Sequence, residues 1–443
     1  MKKTLLTICL VWMCFSLSAQ KIIDLSGKWS FSIDRQDNGE KEKWFSHTLN
    51  DFINLPGSMP EKLKGDEVTA KTQWTGSLYD SSYYYNPYME KYRKEGNIKF
   101  PFFLTPDKHY VGAAWYQKEV NIPADWKGER ILLFLERPHI ETTVWVNGQK
   151  TGMQNSLCVP HQYDITRYVR PGKCTITIRV DNRIKEINVG PDSHSITDQT
   201  QGNWNGIVGR ICLQTTPKTY FDDIQIYPEP EQKLARVKVV IKGTGTAKVK
   251  LSAESFNRDN MHLVPARHQE IILNKGVTET EMVLPMGNDM LLWDEFHPAL
   301  YKLKAEVTNG KKTEIKEIQF GMRRFEIKGK WFYVNGRKTQ LRGTVENCDF
   351  PLTGYAPMDV ESWERVFRIC RNYGLNHMRF HSFCPPEAAF IAADRVGFYL
   401  QPEGPSWPNH GPKLGLGQPI DKYLMDETIA LTKEYGNYAS YCM

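Results

Sequence analysis

Past its first twenty residues the chain has no run apolar enough to cross a membrane, which takes about 20 such residues. It has no low-complexity tract, and with 40% hydrophobic and 24% charged residues it is neither disordered nor collagen-like. It also lacks a dominant charge. The 57 basic and 51 acidic residues leave only +6, and the basic ones are scattered, which sets nucleic acid aside as a partner. Among the 9 cysteines there is no CxxC motif, so zinc ligation has no support and no metal is expected. Their irregular spacing argues against a disulfide framework, while leaving room for one pair in an oxidising compartment. Most read as small buried hydrophobes.

What the chain does have begins with a leader. Lys2 and Lys3 precede an apolar run from Leu5 to Leu17, and Leu17-Ser18-Ala19 forms a small-residue cleavage site. Residues 1–19 are therefore expected to be an export signal, with the rest periplasmic or extracellular. Neither Cys9 nor Cys14 follows the small residues of a lipid-attachment site, so no membrane anchor is expected. A length of 443 residues suggests about three domains.

From residue 20 to 228 the chain reads as short strands between turns. Examples are Lys28–Ile33, Trp115–Val120, Arg130–Leu135, Thr142–Val146, Thr175–Val180 and Arg210–Gln214. Asn147-Gly148 between two short runs is a strong hairpin signal. This pattern predicts a β-sandwich or jelly roll. Within it, Trp74 to Tyr110 is crowded with tyrosine and proline and lacks any period. Two readings stand for it: a functional loop whose rings suit sugar faces, or an aromatic flap packed on the domain. Tyr227-Pro228-Glu229-Pro230 reads as a linker, and residues 229–325 as an immunoglobulin-like sandwich acting as a spacer. Its strands are read at Val237–Ile241, Ala247–Ala253, Gln269–Leu273, Thr278–Leu284 and Leu300–Val307.

The period changes in residues 326–443. Strands at Gln340–Gly343, Asn376–Phe380 and Phe398–Gln401 alternate with helices from Val360 to Tyr373, Pro386 to Val396 and Tyr423 to Tyr435. Glu346, Asn347, Arg379, His381 and Glu403 fall at strand ends, where a (β/α)8 TIM barrel carries its chemistry. A full barrel takes about 250 residues. The chain is thus expected to stop inside that domain, as a truncated sequence.

Motifs in order along the chain carry a resemblance. They include Leu25-Ser26-Gly27-Lys28-Trp29, Ala114-Trp115-Tyr116, Val144-Trp145-Val146-Asn147-Gly148 and Gly206-Ile207. Further on come Phe320-Gly321-Met322-Arg323, Leu341-Arg342-Gly343, Asn376-His377-Met378-Arg379 and Gln401-Pro402-Glu403. The chain resembles the N-terminal portion of glycoside hydrolase family 2, the β-galactosidases, β-glucuronidases and β-mannosidases. The resemblance implies a retaining enzyme, β-galactosidase-like, cutting O-glycosyl bonds of β-linked glycans with no cofactor. It uses two carboxylates about 5–5.5 Å apart. It also implies that both catalytic glutamates lie beyond Met443, leaving this fragment inactive. The alternative is a non-catalytic carbohydrate-binding protein or a pseudogene product.

The resemblance further implies a sugar-binding side. Arg379 matches the arginine that steadies the nucleophile, with a solvent-facing strand-end arginine as the alternative; Glu403 matches an acidic strand-end position, with a structural carboxylate pairing Arg379 as the alternative. His381 stands one place earlier than the family's histidine, so it either meets sugar hydroxyls or is a hydrogen-bonded core residue. The family's acidic residue before the Gly-Ile motif is replaced here by Thr200. Asp198, Asn203 and Trp204 nearby are the expected substitutes.

Overall fold

The computed structural model describes residues 20–443, and the leader read at residues 1–19 lies outside the described residues. The first unit is a sandwich of two antiparallel sheets. One sheet orders strands Ile22–Asp24, Gly206–Thr216, Arg130–His139 and His161–Asp164, with Gly57–Ser58 added beside Gly206. The other orders Gln149–Gln154, Glu141–Val146, Gly172–Asp181, Ala113–Ile122, Gly27–Asp34 and Asp51–Leu55.

Alternation explains the packing. In Gly172–Asp181, Cys174, Ile176, Ile178 and Val180 enter the core, and Ile178 stands in register with Tyr116 on one side and Val144 on the other. Each such side chain stabilises the fold by about 1.5–3 kcal/mol. The Asn147-Gly148 hairpin is present, and both residues take the positive φ its tight turn demands (49° and 77°).

The second unit is a β-sandwich, with two departures from the sequence reading. Strand Tyr220–Glu229 pairs with Leu234–Ser255, so this unit begins before residue 220 rather than at 229. Pro228 and Glu229 end the strand and Pro230–Gln232 begins a hairpin turn, so this stretch is not a linker; proline punctuation marks both alike. Secondly, four short strands merge into two long ones, Leu234–Ser255 and Leu263–Pro285. Their pairing shifts register between Gly243 and Gly245, so glycines that signal a turn in sequence mark an irregularity inside a continuous strand.

The third unit holds the hairpin Trp331–Val334 and Arg337–Thr339, then three parallel strands: Gly343–Glu346, His377–Phe380 and Tyr399–Pro402. Helices Val360–Asn372, Glu387–Val396 and Pro419–Tyr435 follow them in turn. Asp359 caps the first helix by accepting from the Ser362 N–H at 2.8 Å, and Gly374 takes φ 80° just past its end. The first strand runs three residues later than expected. The segment before it is held differently: the Arg342 N–H donates to Asn376 Oδ1 at 2.7 Å, and Asn376 Nδ2 donates to Glu295 Oε2 at 3.0 Å.

The three units share buried joints. Trp293 of the second unit packs with Val334, Tyr399 and Ala439, and its Nε1–H donates to the Asp394 carbonyl at 2.8 Å. Leu157, Val189 and Ile196 of the first unit pack with Ile420 and Tyr423 of the last helix. Apolar contact on both sides fixes where the sandwich loops lie relative to the parallel strands.

Candidate functional site

The parallel strands bring two charged residues together at their carboxyl ends. Arg379 Nε donates to Glu403 Oε1 at 2.5 Å, and the backbone N–H of Ser382 donates to Glu403 Oε2 at 2.7 Å. Among the described residues no hydrogen bond ends on Nη1 or Nη2 of Arg379. One edge of the guanidinium is therefore used internally, and the rest of its fork is free to take an anion. Neither is Glu346 idle at the first strand end. Its Oε1 accepts from the Asp349 N–H at 3.0 Å, and burial raises its carboxyl above the usual range.

Above this pair lies a loop of the first unit. The Ser193 Oγ donates to the Pro405 carbonyl at 2.8 Å, Ser195 Oγ to the Ser382 carbonyl at 2.7 Å, and the His194 N–H to Ser382 Oγ at 2.9 Å. Ser382 serves as a hub and adopts a left-handed φ of 46°, a strained setting for a residue with a side chain. Gly190 shows how tightly the loops meet: at its φ of 94°, a Cβ would fall 2.0 Å from the Trp407 carbonyl oxygen.

The loops deliver three rings beside Arg379. His381 sits 4.7 Å from His194 and 4.7 Å from Trp407, centroid to centroid, and His194 stacks on Trp407 at 5.4 Å. Burial, then the neighbouring His381, brings His194 down to about 4, so it is neutral at physiological pH. Burial and the Arg379 charge lower His381 as well. A cation, a carboxylate and neutral rings in one place can anchor a polyhydroxylated ring by its edges and face.

Asp198, Asn203 and Trp204 are placed differently. Asp198 is 2% exposed and accepts from the Thr75 N–H at 2.6 Å and the Asn203 N–H at 2.7 Å, with His109 Nε2 at 3.3 Å. Asn203 Nδ2 donates to the Asn182 carbonyl and Thr75 Oγ1, while its Oδ1 meets His139 Nε2 at 3.2 Å. Trp204 stacks on His139 at 4.6 Å. All three also line a separate cleft of about 330 Å³ between residues 104–109 and 351–354. The six expected residues thus divide into a strand-end trio and a buried loop-fastening trio. Thr200, at the family's acidic position, pairs with His194 Nδ1 at 3.2 Å.

Asp198→Ala should cost about 3 kcal/mol, because it strands two buried N–H donors. A urea titration would read this as a lower midpoint at unchanged slope; a shift under about 0.5 kcal/mol would rule out the fastening role.

Sequence reasoning missed His194, Ser382 and Trp407. The signal available for Trp407 was an aromatic between prolines just after a strand end, in Gly404-Pro405-Ser406-Trp407-Pro408. His194 offers none, because its partners lie on another unit. The aromatic stretch 74–110 is partly a packed flap. Trp74 contacts Phe100, Phe103 and His109, yet Tyr79, Tyr85 and Tyr88 stay exposed. Ser77 ties it down by donating to Asp192 at 2.5 Å, and Asp192 also holds His410 at 3.1 Å.

Fold and site together define an architectural class: β-sandwiches that lay a loop over the strand ends of a parallel α/β unit. Residues 22–217 match the profile "Glycosyl hydrolases family 2, sugar binding domain", and residues 219–323 match "Glycosyl hydrolases family 2". The chain belongs to glycoside hydrolase family 2. It is 24% identical over 407 residues to the β-galactosidase large subunit of Latilactobacillus sakei, covering 89% of this chain and 61% of that protein. To human β-glucuronidase it is 23% identical, covering 86% and 57%. Its fold is similar to the β-glucuronidase of Ruminococcus gnavus (TM-score 0.69, 19% identity, 96% of this chain and 66% of that one). It is also similar to a family 2 member from Bacteroides cellulosilyticus (TM-score 0.68, 20% identity, 95% and 52%). The chain thus spans about three fifths of the length of these curated relatives.

Proposed function

We propose that residues 20–443 form the sugar-binding and framing part of a retaining β-glycosidase that cuts β-linked glycans of the galactoside kind. The observation that carries this is Arg379, fixed through Nε on Glu403 with Nη1 and Nη2 left unbonded among the described residues. A planar guanidinium fork matches a carboxylate and keeps it ionised. A retaining site needs one ionised carboxylate as nucleophile and a second, about 5–5.5 Å away, as acid and then base.

In this reading the parallel sheet opens a (β/α)8 barrel. Support comes from residues 440–442, which begin to pair with the third strand: the Leu400 N–H donates to the Ser440 carbonyl at 2.8 Å and the Cys442 N–H to the Leu400 carbonyl at 3.2 Å, a parallel bridge. The acid/base and nucleophile glutamates then belong to later strands, outside residues 20–443. Glu403 and Ser382 hold Arg379 in aim, His194, His381 and Trp407 wall the sugar, and the loop around Ser193 excludes water. The leader at residues 1–19 makes the site an exported one, and the units divide near residues 218 and 325.

The test is turnover of aryl β-galactoside, β-glucuronide and β-mannoside by the full gene product and by residues 20–443 alone. The full product is expected to release the β-anomer first, and the shorter piece to bind sugar without hydrolysis. An α-anomer as first product, or no turnover of any of the three, would reject the retaining-glycosidase reading. Turnover by the shorter piece would instead reject the placement of the two glutamates.

A further inference from the structure

The loop that carries His194 also walls the separate cleft of about 330 Å³, a volume at the lower end of the range of small-molecule sites. Its walls are fixed against each other. The Leu104 N–H donates to the Asp198 carbonyl at 2.6 Å, and Gly354 packs so closely that a Cβ there would fall 2.8 Å from the Gln201 carbonyl oxygen. The cleft is therefore preformed.

One nearly buried polar side chain on this wall has a bonding position to spare. His109 is 9% exposed, and its Nε2 meets Asp198 Oδ2 at 3.3 Å. Its Nδ1 bonds nothing among the described residues, and it is not sealed off. A carboxylate beside Nε2 keeps the proton of the neutral ring there, which leaves Nδ1 as an acceptor. Asp107, on the same wall, is exposed and makes no hydrogen bond or ion pair among the described residues. Leu63, Leu104 and Pro351 supply an apolar side. No lysine or arginine lines the cleft, while Asp107 and Asp198 both do. Free acceptors call for hydroxyl donors, the apolar side for a C–H face, and the carboxylates repel anions.

We propose that this cleft is a second sugar site, which takes one neutral hexopyranose unit and excludes uronates. The sugar's hydroxyls donate to His109 Nδ1 and to the Asp107 carboxylate, and its C–H face lies on the apolar side. Asp198 is the positioning residue of this site: it fastens the loops and sets the tautomer of His109. None of these residues belongs to the strand-end group of Arg379, His381 and Glu403, so the proposal stands apart from the glycosidase reading.

The test follows His109 by NMR in the full gene product, labelled with carbon-13 at the histidine Cε1 atoms. Its peak is the one missing from His109→Gln. Methyl β-galactoside should shift that peak saturably, and glucuronate should leave it in place. Asp107→Lys, a change on an exposed residue, replaces a repelling charge with an attracting one and should let glucuronate shift the peak. Should His109→Gln not fold, crystals soaked in methyl β-galactoside read the same contact directly, as a sugar in the cleft hydrogen-bonded to Nδ1. Absence of aryl glycoside turnover would reject the retaining-glycosidase reading, while the His109 peak decides this one. A peak that methyl β-galactoside leaves in place, an equal shift by glucuronate in the wild type, or a soaked crystal with the cleft empty overturns the proposal.

Discussion

Arg379→Met in the full gene product should lower kcat by about 10²- to 10³-fold with KM changed far less, the size seen when a preorganised charged donor is removed from a site. The argument is geometric. The guanidinium has one committed edge, on Glu403, and two nitrogens without partners among the described residues, so most of its hydrogen-bonding capacity is available to another carboxylate. Because the Arg379 side chain is 38% exposed and Glu403 27% exposed, breaking the pair should cost the fold only about 1 kcal/mol. The midpoint of unfolding should therefore move little while turnover collapses. Arg379→Lys keeps the charge and loses the fork, and should fall between wild type and the methionine variant. Steady-state kinetics and a thermal melt on the same samples decide the matter. A methionine variant within threefold of wild-type kcat would remove Arg379 from the reaction.

How much of this was legible in the sequence depends on the range over which each signal acts. The Asn147-Gly148 turn is local, fixed by a few neighbouring residues, and it falls where the sequence places it. Period is nearly as local, so the change from antiparallel strands to strand–helix alternation after residue 325 could be read directly. Register and sheet membership are not local. Nothing near Tyr220 says that its strand pairs with Leu234–Ser255 rather than with the sheet it follows, and proline at 228 and 230 misplaced that boundary. The site divides on the same principle. Arg379 and Glu403 meet because adjacent parallel strands put their ends side by side, a consequence of topology that the alternation already implies. Ser193 meets Pro405, and His194 meets Trp407, only through the packing of separate units, and no residue-level pattern announces such a pair. Asp198 shows the same limit of local reading. A carboxylate near a ligand loop suggests contact with sugar, but here the backbone of Thr75 and Asn203 claims both of its oxygens.

The folded chain should also be acid-labile, losing roughly 2–3 kcal/mol for each pH unit between pH 6 and 4. Three histidines drive this. Burial brings His139 down to about 3 and His161 and His194 to about 4, from an ordinary value of 6.5. His161 shows why it stays neutral: Nδ1 meets Thr142 Oγ1 at 2.6 Å and Nε2 the Ser156 carbonyl at 3.0 Å, in a fully buried place with no carboxylate partner among the described residues. Below about pH 6.5 the unfolded chain takes up protons that the folded chain refuses, so stability rises with pH across this window and is lost as pH falls. Each histidine contributes about 1.4 kcal/mol per pH unit while the two states differ by one proton. Asp394 opposes them. Burial raises it to about 6 from 3.8, so between those values the folded chain holds a proton the unfolded chain has released, and this term weakens the fold as pH rises. Three histidines against this one aspartate set the slope given above, and the carboxyls of Glu314, Glu346, Glu427 and Glu434, also raised by burial, draw it toward the lower end. With a total stability of about 5–15 kcal/mol for a typical protein, a drop to pH 4.5 should remove a large part of it. Urea midpoints at pH 7.5, 6.0, 5.0 and 4.5 would show the decline, and His161→Gln should flatten it by about half. A midpoint that stays level down to pH 4.5 would mean that these histidines take up their protons without unfolding the chain.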